Sequence, residues 1–456
     1  MADLAPTSAE GGGRFHRVRD ELAQLLTLSG PVVLARLGIM TMGLSDAIVV
    51  GRYAASELGY HAMAWAPTSV VLTVAIGALT GVQVMTSRAI GAGRAEDTGA
   101  VLRRGLSYSL WLGLASMFLM VVLGPWSLRH MGLEPDLAAG AAKAVVIFAL
   151  SLPTYVVACA AISWLEAHAR PTPPMLMMWG ANVVNLGLLL WLVPGTSGLG
   201  ISGAIAGAWS TFGARAFLLI ALAVYILRMK EARAYGVFDK PVPDRALEAE
   251  QRQVGYGAGA SNFFEVAAFA SMNVIAGWLG GAMVAAWAIV LNVAAMVFMV
   301  PLGLATGTAV MVGRAYGARD AKGVVRVGLI GFGVATAFGV VISLIVWPTA
   351  HWIAAAYTRD PMVIEVAASA MILCCLFFLA DALQVVVAQA LRARGDVWVP
   401  SATHLTSYVA VMMPLAWWLA IPMGMGLHGI VWAVIAASLL SAGLLLARFW
   451  QLSQRD

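Results

Sequence analysis

The sequence predicts an all-α membrane protein with twelve transmembrane helices in two parallel six-helix repeats. The first reason is composition: 61% of the 456 residues are hydrophobic and only 11% are charged, whereas about 25% are charged in an average soluble domain. The second is a series of apolar runs about 20 residues long, the length that a helix needs to cross a bilayer. The third is an internal repeat that divides the chain into two halves.

The repeat consists of four separated stretches that recur at a constant offset of 226 residues. The pairs are GALTG (77–81) with GLATG (303–307), VMTSRAIGAG (84–93) with VMVGRAYGAR (310–319), LEAHARPTPP (165–174) with LRARGDVWVP (391–400), and GLGISG (198–203) with GMGLHG (424–429). GLGISG also has the glycine spacing of a dinucleotide-binding turn, but the segment before it is too long and too apolar for a buried strand. Because a constant offset indicates a duplication, we interpret both glycine motifs as interhelical turns and expect no cofactor.

Hydropathy and helix-breaking residues define the elements in order. A cytoplasmic N-terminal segment, 1–24, has apolar residues at helical spacing and is expected to lie on the membrane surface before the first span. The first lobe, 25–228, contains spans at 25–50, 60–84, 105–126, 138–163, 175–194 and 199–228. A charged cytoplasmic linker, 229–254, leads to the second lobe, 255–449, with spans at 255–279, 284–312, 326–348, 362–390, 398–420 and 427–449, and a cytoplasmic tail follows at 450–456.

Basic residues are concentrated on alternate connections. One side carries most of the arginines and lysines, including Arg392 after span ten, and the other carries only Arg52, Arg129 and Arg359. The positive-inside rule therefore places both termini in the cytoplasm. Each half has an even number of spans, so both halves enter the membrane from the same side, a plan that many secondary transporters share. The sequence has no P-loop motif, which argues against direct use of ATP, and we predict no enzymatic activity.

Three acidic residues fall inside predicted spans: Asp46, Glu265 and Asp381. A charge near the bilayer centre costs at least about 2.5–3.5 kcal/mol on insertion scales, so such residues are candidates for function. The alternative for each is an acid that only packs with hydrogen bonds or that faces water at a helix end.

Amide side chains accompany these acids. Each acid of the second lobe has an amide three residues away on the same helix face, and span five carries two more that could face the acid of the first lobe. These amides are Asn262, Gln384, Asn182 and Asn185. Carboxylate and amide oxygens suit Na⁺ or a bound proton, but asparagine also joins helices inside membranes without any other role.

Four stretches resemble the multidrug and toxic compound extrusion (MATE) family, in its NorM-like bacterial branch. They are MGLSDAIVVGRY, NFFEVAAF, VAAWAIVLNVAAMVFMVPLGLATG and LADALQVVVAQALRARGD. The resemblance implies a V-shaped pair of lobes in the bacterial inner membrane, acting as a monomer. It also implies that Asp46 is the acid of the first lobe, and that Glu265 and Asp381 form the cation site of the second, where H⁺ or Na⁺ would bind.

The chain departs from that family pattern at two places. Phe377 stands where NorM-like members usually have a tyrosine, and Trp287 with Ala288 replaces a polar pair on span eight. The loss of a hydroxyl at Phe377 favours H⁺ over Na⁺ as the coupling ion. Trp287, Asn292 and Phe377 are expected to line the substrate cavity together with the four amides.

The preferred function is export of organic cations or amphiphiles in exchange for an entering cation. A flippase for lipid-linked saccharides, of related architecture, is the alternative, but it would need basic rather than acidic groups in its cavity. A scaffold or receptor that transports nothing is a third possibility, which the repeats and the buried acids do not favour. The partners expected are small cationic molecules and lipid, with no nucleic acid.

Overall fold

The structure is a computed structural model that describes residues 9–130, 132–240 and 244–455, with side chains from residue 16 onward. Parts of the predicted N-terminal segment, linker and tail, namely residues 1–8, 241–243 and 456, lie outside the described residues. Within those ranges all regular secondary structure is helical. The all-α prediction is therefore confirmed.

The first half consists of eight α-helices that provide the first six spans. They are α1 (Ala9–Tyr53), α2 (Ala55–Ala78), α3 (Thr80–Gly91), α4 (Thr98–His130), α5 (Pro135–Leu150), α6 (Leu152–Ala167), α7 (Thr172–Leu192) and α8 (Gly203–Arg228). The second span continues from α2 into α3 after a break at Leu79. The fourth span is the pair α5 and α6, which bends by 41°.

The second half repeats this plan. Its α-helices are α9 (Arg245–Leu279), α10 (Gly281–Gly317), α11 (Ala321–Tyr357), α12 (Pro361–Ala393), α13 (Trp398–His404), α14 (Met413–Ala420) and α15 (Leu427–Ser453). A π-helical segment, Leu405–Met412, joins α13 to α14 within the eleventh predicted span. Each of the twelve predicted spans overlaps these helices. By length and composition, ten of the described helices could cross a membrane, and the bent pair of α5 and α6 brings the number of such spans to eleven.

Two predicted boundaries differ from the structure. Helix α1 runs without a break from Ala9 through the first predicted span, so the described part of the N-terminal segment is not a separate helix. Helix α9 begins at Arg245, inside the predicted linker, because the Asp244 carboxylate accepts hydrogen bonds from the backbone N–H groups of Ala246 and Leu247, both at 3.1 Å. An aspartate at this position satisfies N–H groups that otherwise lack partners at a helix start.

The two glycine motifs form turns, as predicted. Gly198 and Gly200 precede α8 with φ of 74° and 68°, and Gly424 and Gly426 precede α15 with φ of 68° and 57°. Only glycine adopts such angles without strain. The glycine spacing therefore reflects the geometry of an interhelical turn in each half.

The halves pack around separate apolar cores and touch along α1, α2, α3, α9 and α10. The beginning of α1 packs against the second half, since Leu25 and Leu28 share a buried cluster with residues of α10, α11, α12 and α15. We call the end of the bundle where α1 begins and α15 ends the terminal side. There the Arg326 guanidinium forms an ion pair with Glu21 at 2.7 Å, which joins α11 to α1.

Candidate functional site

The first polar centre surrounds Asp46 on α1. Its carboxylate accepts a hydrogen bond from the Asn185 amide on α7 at 2.6 Å and another from the Thr211 hydroxyl on α8 at 2.9 Å. Asp46 is 3% exposed. Three spans of the first lobe thus converge on one buried carboxylate, and the contact between Asn185 and Asp46 that the sequence suggested is present.

An arginine that sequence reasoning left without a role lies beside this acid. Arg215 on α8 is buried and is an electrostatic neighbour of Asp46. Its guanidinium donates to the Ser151 hydroxyl at 2.6 Å and stacks on Tyr155, 4.7 Å from the ring centre. The charge of Asp46 is therefore partly balanced from within the same lobe.

A fourth interior acid, Glu166 on α6, was not among the predicted residues. Its carboxylate lies 3.9 Å from the Arg36 guanidinium on α1 and accepts a hydrogen bond from the Gln83 amide at 3.5 Å. The sequence signal was weak, because Glu166 sits at the end of a predicted span, next to a polar connection.

The second polar centre contains Glu265 on α9 and Asp381 on α12. The two carboxyl groups lie within electrostatic range of each other. Gln384 donates a hydrogen bond to Asp381 at 3.2 Å, and Ser441 on α15 donates to Gln384 at 3.4 Å. Asp381 is buried because α12 packs against α10, α11 and α15 and so forms the middle of the second lobe.

Two further residues complete this centre. Arg392 is 2% exposed and is an electrostatic neighbour of Glu265, although the charge pattern of the sequence had placed it with the solvent-facing basic residues. Tyr408, on the π-helical segment, is fully buried and is an electrostatic neighbour of both Glu265 and Asp381. Its hydroxyl lies beside the Ser438 hydroxyl on α15, although neither has a hydrogen-bond partner of ordinary geometry among the described residues. A tyrosine hydroxyl is therefore present near the acids, but it comes from a different span than the position of Phe377.

Three of the predicted amides donate to backbone carbonyls instead of to the acids. Asn182 donates to the Met178 carbonyl of its own helix at 2.9 Å, and Asn292 likewise donates to the Ala288 carbonyl at 2.9 Å and is exposed. Asn262 donates to the Thr73 carbonyl on α2 at 3.0 Å, so it joins the two lobes rather than extending the site around Glu265. Helical spacing predicted that Asn262 shares a helix face with Glu265, but it could not predict that α2 packs against Asn262.

Each lobe contains a small cavity. The first-lobe cavity is about 30 Å³ and is lined by Met42, Asp46, Trp65, Tyr155, Thr211 and Arg215, among others. The second-lobe cavity is about 10 Å³, and Trp287 and Phe377 line it together with Phe269 and Cys374. One water needs at least about 10–15 Å³ of such space, whereas drug-sized ligands fill pockets of about 300–1,000 Å³. These cavities therefore suit ions or water rather than a drug.

The described residues contain no group of three or more His, Cys, Asp or Glu side chains arranged to bind a metal ion. The second centre instead offers two carboxylates, the Gln384 amide and the Tyr408 hydroxyl. Oxygen groups of this kind are suited to an alkali cation or to a proton held by hydrogen bonds.

Comparison with known proteins gave consistent matches over nearly the whole chain. The MatE family model matches residues 31–191 and again residues 258–418, once in each half. The chain is 59% identical over 439 residues to the "Probable multidrug resistance protein NorM" of Caulobacter vibrioides, covering 96% of this chain and 93% of that protein. It is 29% identical to the multidrug resistance protein PmpM of Pseudomonas aeruginosa, covering 88% and 84%.

Solved structures share the fold at low sequence identity. A crystal structure of a eukaryotic MATE transporter superposes with a TM-score of 0.87 at 16% identity, covering 96% of this chain and 98% of that one. The outward-facing conformation of a multidrug resistance MATE family transporter of the MOP superfamily also gives 0.87, at 17% identity, covering 95% and 96%.

Proposed function

This chain belongs to the MatE family, and we propose that it is a secondary active multidrug efflux antiporter that exports organic cations or amphiphiles in exchange for H⁺ or Na⁺. The relatives matched over most of their length are named as multidrug resistance proteins. Similar solved structures extend over nearly the whole chain. We place the protein in the bacterial inner membrane as a monomer, with the terminal side in the cytoplasm, in keeping with its basic connections.

The observation that carries the proposal is the pair formed by Glu265, which is half-buried, and Asp381, which is buried. Two carboxylates near each other cannot both remain charged at low dielectric without a compensating cation or proton. Arg392 supplies one positive charge near Glu265, which leaves the pair short of one more. A single monovalent cation or proton completes the charge balance. Its release requires a change in the environment of the two carboxyl groups.

Alternating access follows from differential affinity. A cation that binds one arrangement of the lobes better than the other shifts the population towards that arrangement, and cargo that prefers the other arrangement is exchanged against it. Because the cavities inside the lobes are ion-sized, we place the cargo between the lobes, with Asp46 as the acid of the first lobe that contributes to exchange. Trp287 and Phe377 line the cavity inside the second lobe, and we keep Asn292, which is exposed, as a proposed residue of the substrate cavity.

The flippase alternative is less favoured, although the interior is less acidic than the sequence suggested. Among the described residues three acids and three arginines are buried, so positive charge is not in excess; they are Asp46, Glu166, Asp381, Arg215, Arg392 and Arg394. Polyanionic headgroups would need an excess of the opposite sign. The relatives are named as multidrug resistance proteins, which also favours drug export over the flippase alternative.

The experiment is export of a fluorescent organic cation from sealed vesicles, with a pH gradient in Na⁺-free buffer and a Na⁺ gradient at constant pH imposed separately. We expect Glu265→Gln and Asp381→Asn to abolish gradient-driven export, and Asp46→Asn to reduce it at least tenfold. Glu365→Gln, which changes an exposed acid on α12, is the matched control and should transport normally. Export that persists in both Glu265→Gln and Asp381→Asn at normal expression would overturn the proposal.

A further inference from the structure

On the terminal side, two arginines reach across the boundary between the lobes. Arg88, in the last turn of α3, donates from Nε to the Ala393 carbonyl at 2.9 Å and from Nη2 to the Arg392 carbonyl at 3.0 Å. Arg314, in the last turn of α10, donates from Nη2 to the Ala167 carbonyl at 2.7 Å. Each arginine of one lobe thus binds the end of a helix in the other.

These two contacts are copies of each other. The offset of 226 residues that relates the halves converts Arg88 into Arg314 and Ala167 into Ala393. Ala167 and Ala393 are the last residues of α6 and α12. The final carbonyls of a helix have no partner within it and carry partial negative charge, so a guanidinium is a well-matched donor, and hydrogen bonds of this type are stronger than neutral ones.

The helices that carry the arginines cross so closely that two glycines at the crossing have no room for a side chain. A Cβ added at Gly91 would overlap the Arg314 carbonyl, and one added at Gly317 would overlap the Arg88 carbonyl. Gly91 and Gly317 are again related by the same offset. Because the obstructing atoms are backbone, a larger side chain could be accommodated only if the lobes moved apart.

Arg88 makes two more contacts with the second lobe. Its Nη1 donates to the Glu250 carboxylate at 2.9 Å, and the guanidinium lies 5.2 Å from the Tyr316 ring centre. Underneath, Val84 of α3 packs in a buried apolar cluster with Val254 and Val397 of the second lobe. Separation of the lobes on this side would break all of these contacts together.

The helix ends that receive the arginines adjoin the buried charges. Glu166 precedes Ala167, and Arg392 precedes Ala393, and these two residues are also equivalent in the repeat. Glu166 lies beside Arg36 of α1, and Arg392 beside Glu265 of α9. The contact across the lobes is therefore one residue away from a buried charged residue in each half, Glu166 in the first and Arg392 in the second.

We propose that Arg88 and Arg314 form a twin latch, two positioning residues that keep the lobes closed on the terminal side and must release before that side can open. The inference rests on the proposed transport function, because it assigns the closed arrangement to one stage of the exchange. Each arginine holds the same boundary closed, one from each lobe. The loss of either one therefore shifts the equilibrium between closed and open lobes towards the open arrangement.

The test measures opening directly. Val84→Cys places a thiol in the apolar cluster beneath the latch, where Val84 is 1% exposed. Its rate of labelling by a membrane-impermeant maleimide is measured in inside-out vesicles without drug or gradient, so the result does not depend on whether the protein transports anything. We expect Arg314→Gln, which loses one charge-assisted hydrogen bond, to raise the rate about tenfold, and Arg88→Gln, which loses three, to raise it at least as much. The double variant should reach about a hundredfold if the sites are independent.

Two further variants control the interpretation. Arg94→Gln removes an exposed arginine of the same connection that pairs with Asp97 in its own lobe, and it should leave labelling unchanged. Arg88→Lys keeps the charge but loses the planar fork that reaches two carbonyls, so its rate should be intermediate.

Unchanged labelling of Val84→Cys in both single variants and in the double variant would overturn the latch. Labelling that spreads equally to Cys159 and Cys374, which are buried inside the two lobes, would overturn it as well. That result would assign the arginines to the stability of each lobe rather than to closure between them.

Discussion

Removing the buried hydroxyl of Tyr408 tests whether this residue binds the coupling ion or only packs against its neighbours. Tyr408→Phe removes one oxygen and keeps the ring, whose centre lies 6.3 Å from that of Phe269 and 5.4 Å from that of His404. The side chain is fully buried, and its hydroxyl has the Ser438 hydroxyl beside it but no hydrogen bond of ordinary geometry among the described residues. Apolar packing should therefore survive the substitution.

The magnitude follows from what that hydroxyl does in each state. A buried hydroxyl without a partner costs about 1–3 kcal/mol, so its removal should leave the free energy of unfolding without ion unchanged or raise it by up to that amount. With an ion at Glu265 and Asp381, the same oxygen would contribute about 1.5–3 kcal/mol as a bond to a charged group. Its loss should therefore weaken ion binding by about 10- to 100-fold.

The assay is thermal unfolding of the detergent-solubilised protein over a range of Na⁺ concentrations and of pH, followed by efflux driven by each gradient. Tyr408→Phe should keep or raise the melting temperature without Na⁺ and shift the half-saturating Na⁺ concentration upward. Tyr60→Phe, in which the ring still packs over Gly140 of the first lobe, is the matched control and should change neither quantity. A lower melting temperature together with unchanged Na⁺ and pH dependence would refute the reasoning and make Tyr408 a packing residue.

Two further predictions concern stability on the terminal side. Burial lowers the pKa of His168, which follows α6, to about 4 from an ordinary 6.5, so the unfolded chain binds this proton more readily and the free energy of unfolding should fall as the pH drops from about 6.5 to 4. His168→Asn should flatten that slope in unfolding scans over this range, and an equal slope in both proteins would contradict the assignment. Gly81→Ala should lower the melting temperature, because the added Cβ overlaps the Gln251 carbonyl across the lobe boundary. Gly187→Ala, at a helical glycine with open space around it, should leave the melting temperature unchanged or raise it slightly. An equal change of melting temperature in the two variants would contradict the close contact between Gly81 and the Gln251 carbonyl.

The sequence predicted the spans, the repeat and three of the interior acids because each leaves a signal along the chain. Apolar length, a constant offset and a charge within an apolar run can all be read in one dimension. Asn185 and Gln384 were predicted beside Asp46 and Asp381. Thr211 and Tyr408 were not, since they approach the acids from other helices. Which residues face each other depends on how each helix is rotated in the bundle, and span eleven is further altered by its π-helical segment.

The same limit explains the error over interior charge. The sequence placed Arg392 with the basic residues of the cytoplasmic connections, because it follows the last apolar residues of span ten. In the structure α12 ends against the other lobe instead of in solvent, so Arg392 is buried beside Glu265. The difference in interior charge that was expected to distinguish an exporter of cations from a flippase is therefore smaller. Specificity for cations then depends on the balance of acids and arginines within each polar centre.

Duplication also explains why the latch is symmetric while the ion chemistry is not. The offset of 226 residues relates Tyr155 to Asp381 and Arg215 to Ser441, so the two polar centres occupy equivalent places in their lobes with different side chains. The latch, by contrast, uses backbone carbonyls as acceptors, and every residue at the end of a helix supplies those. Divergence of side chains can therefore change which cation or proton each lobe binds without loosening the contact that closes them, and the two lobes need not bind the same ion in order to open together.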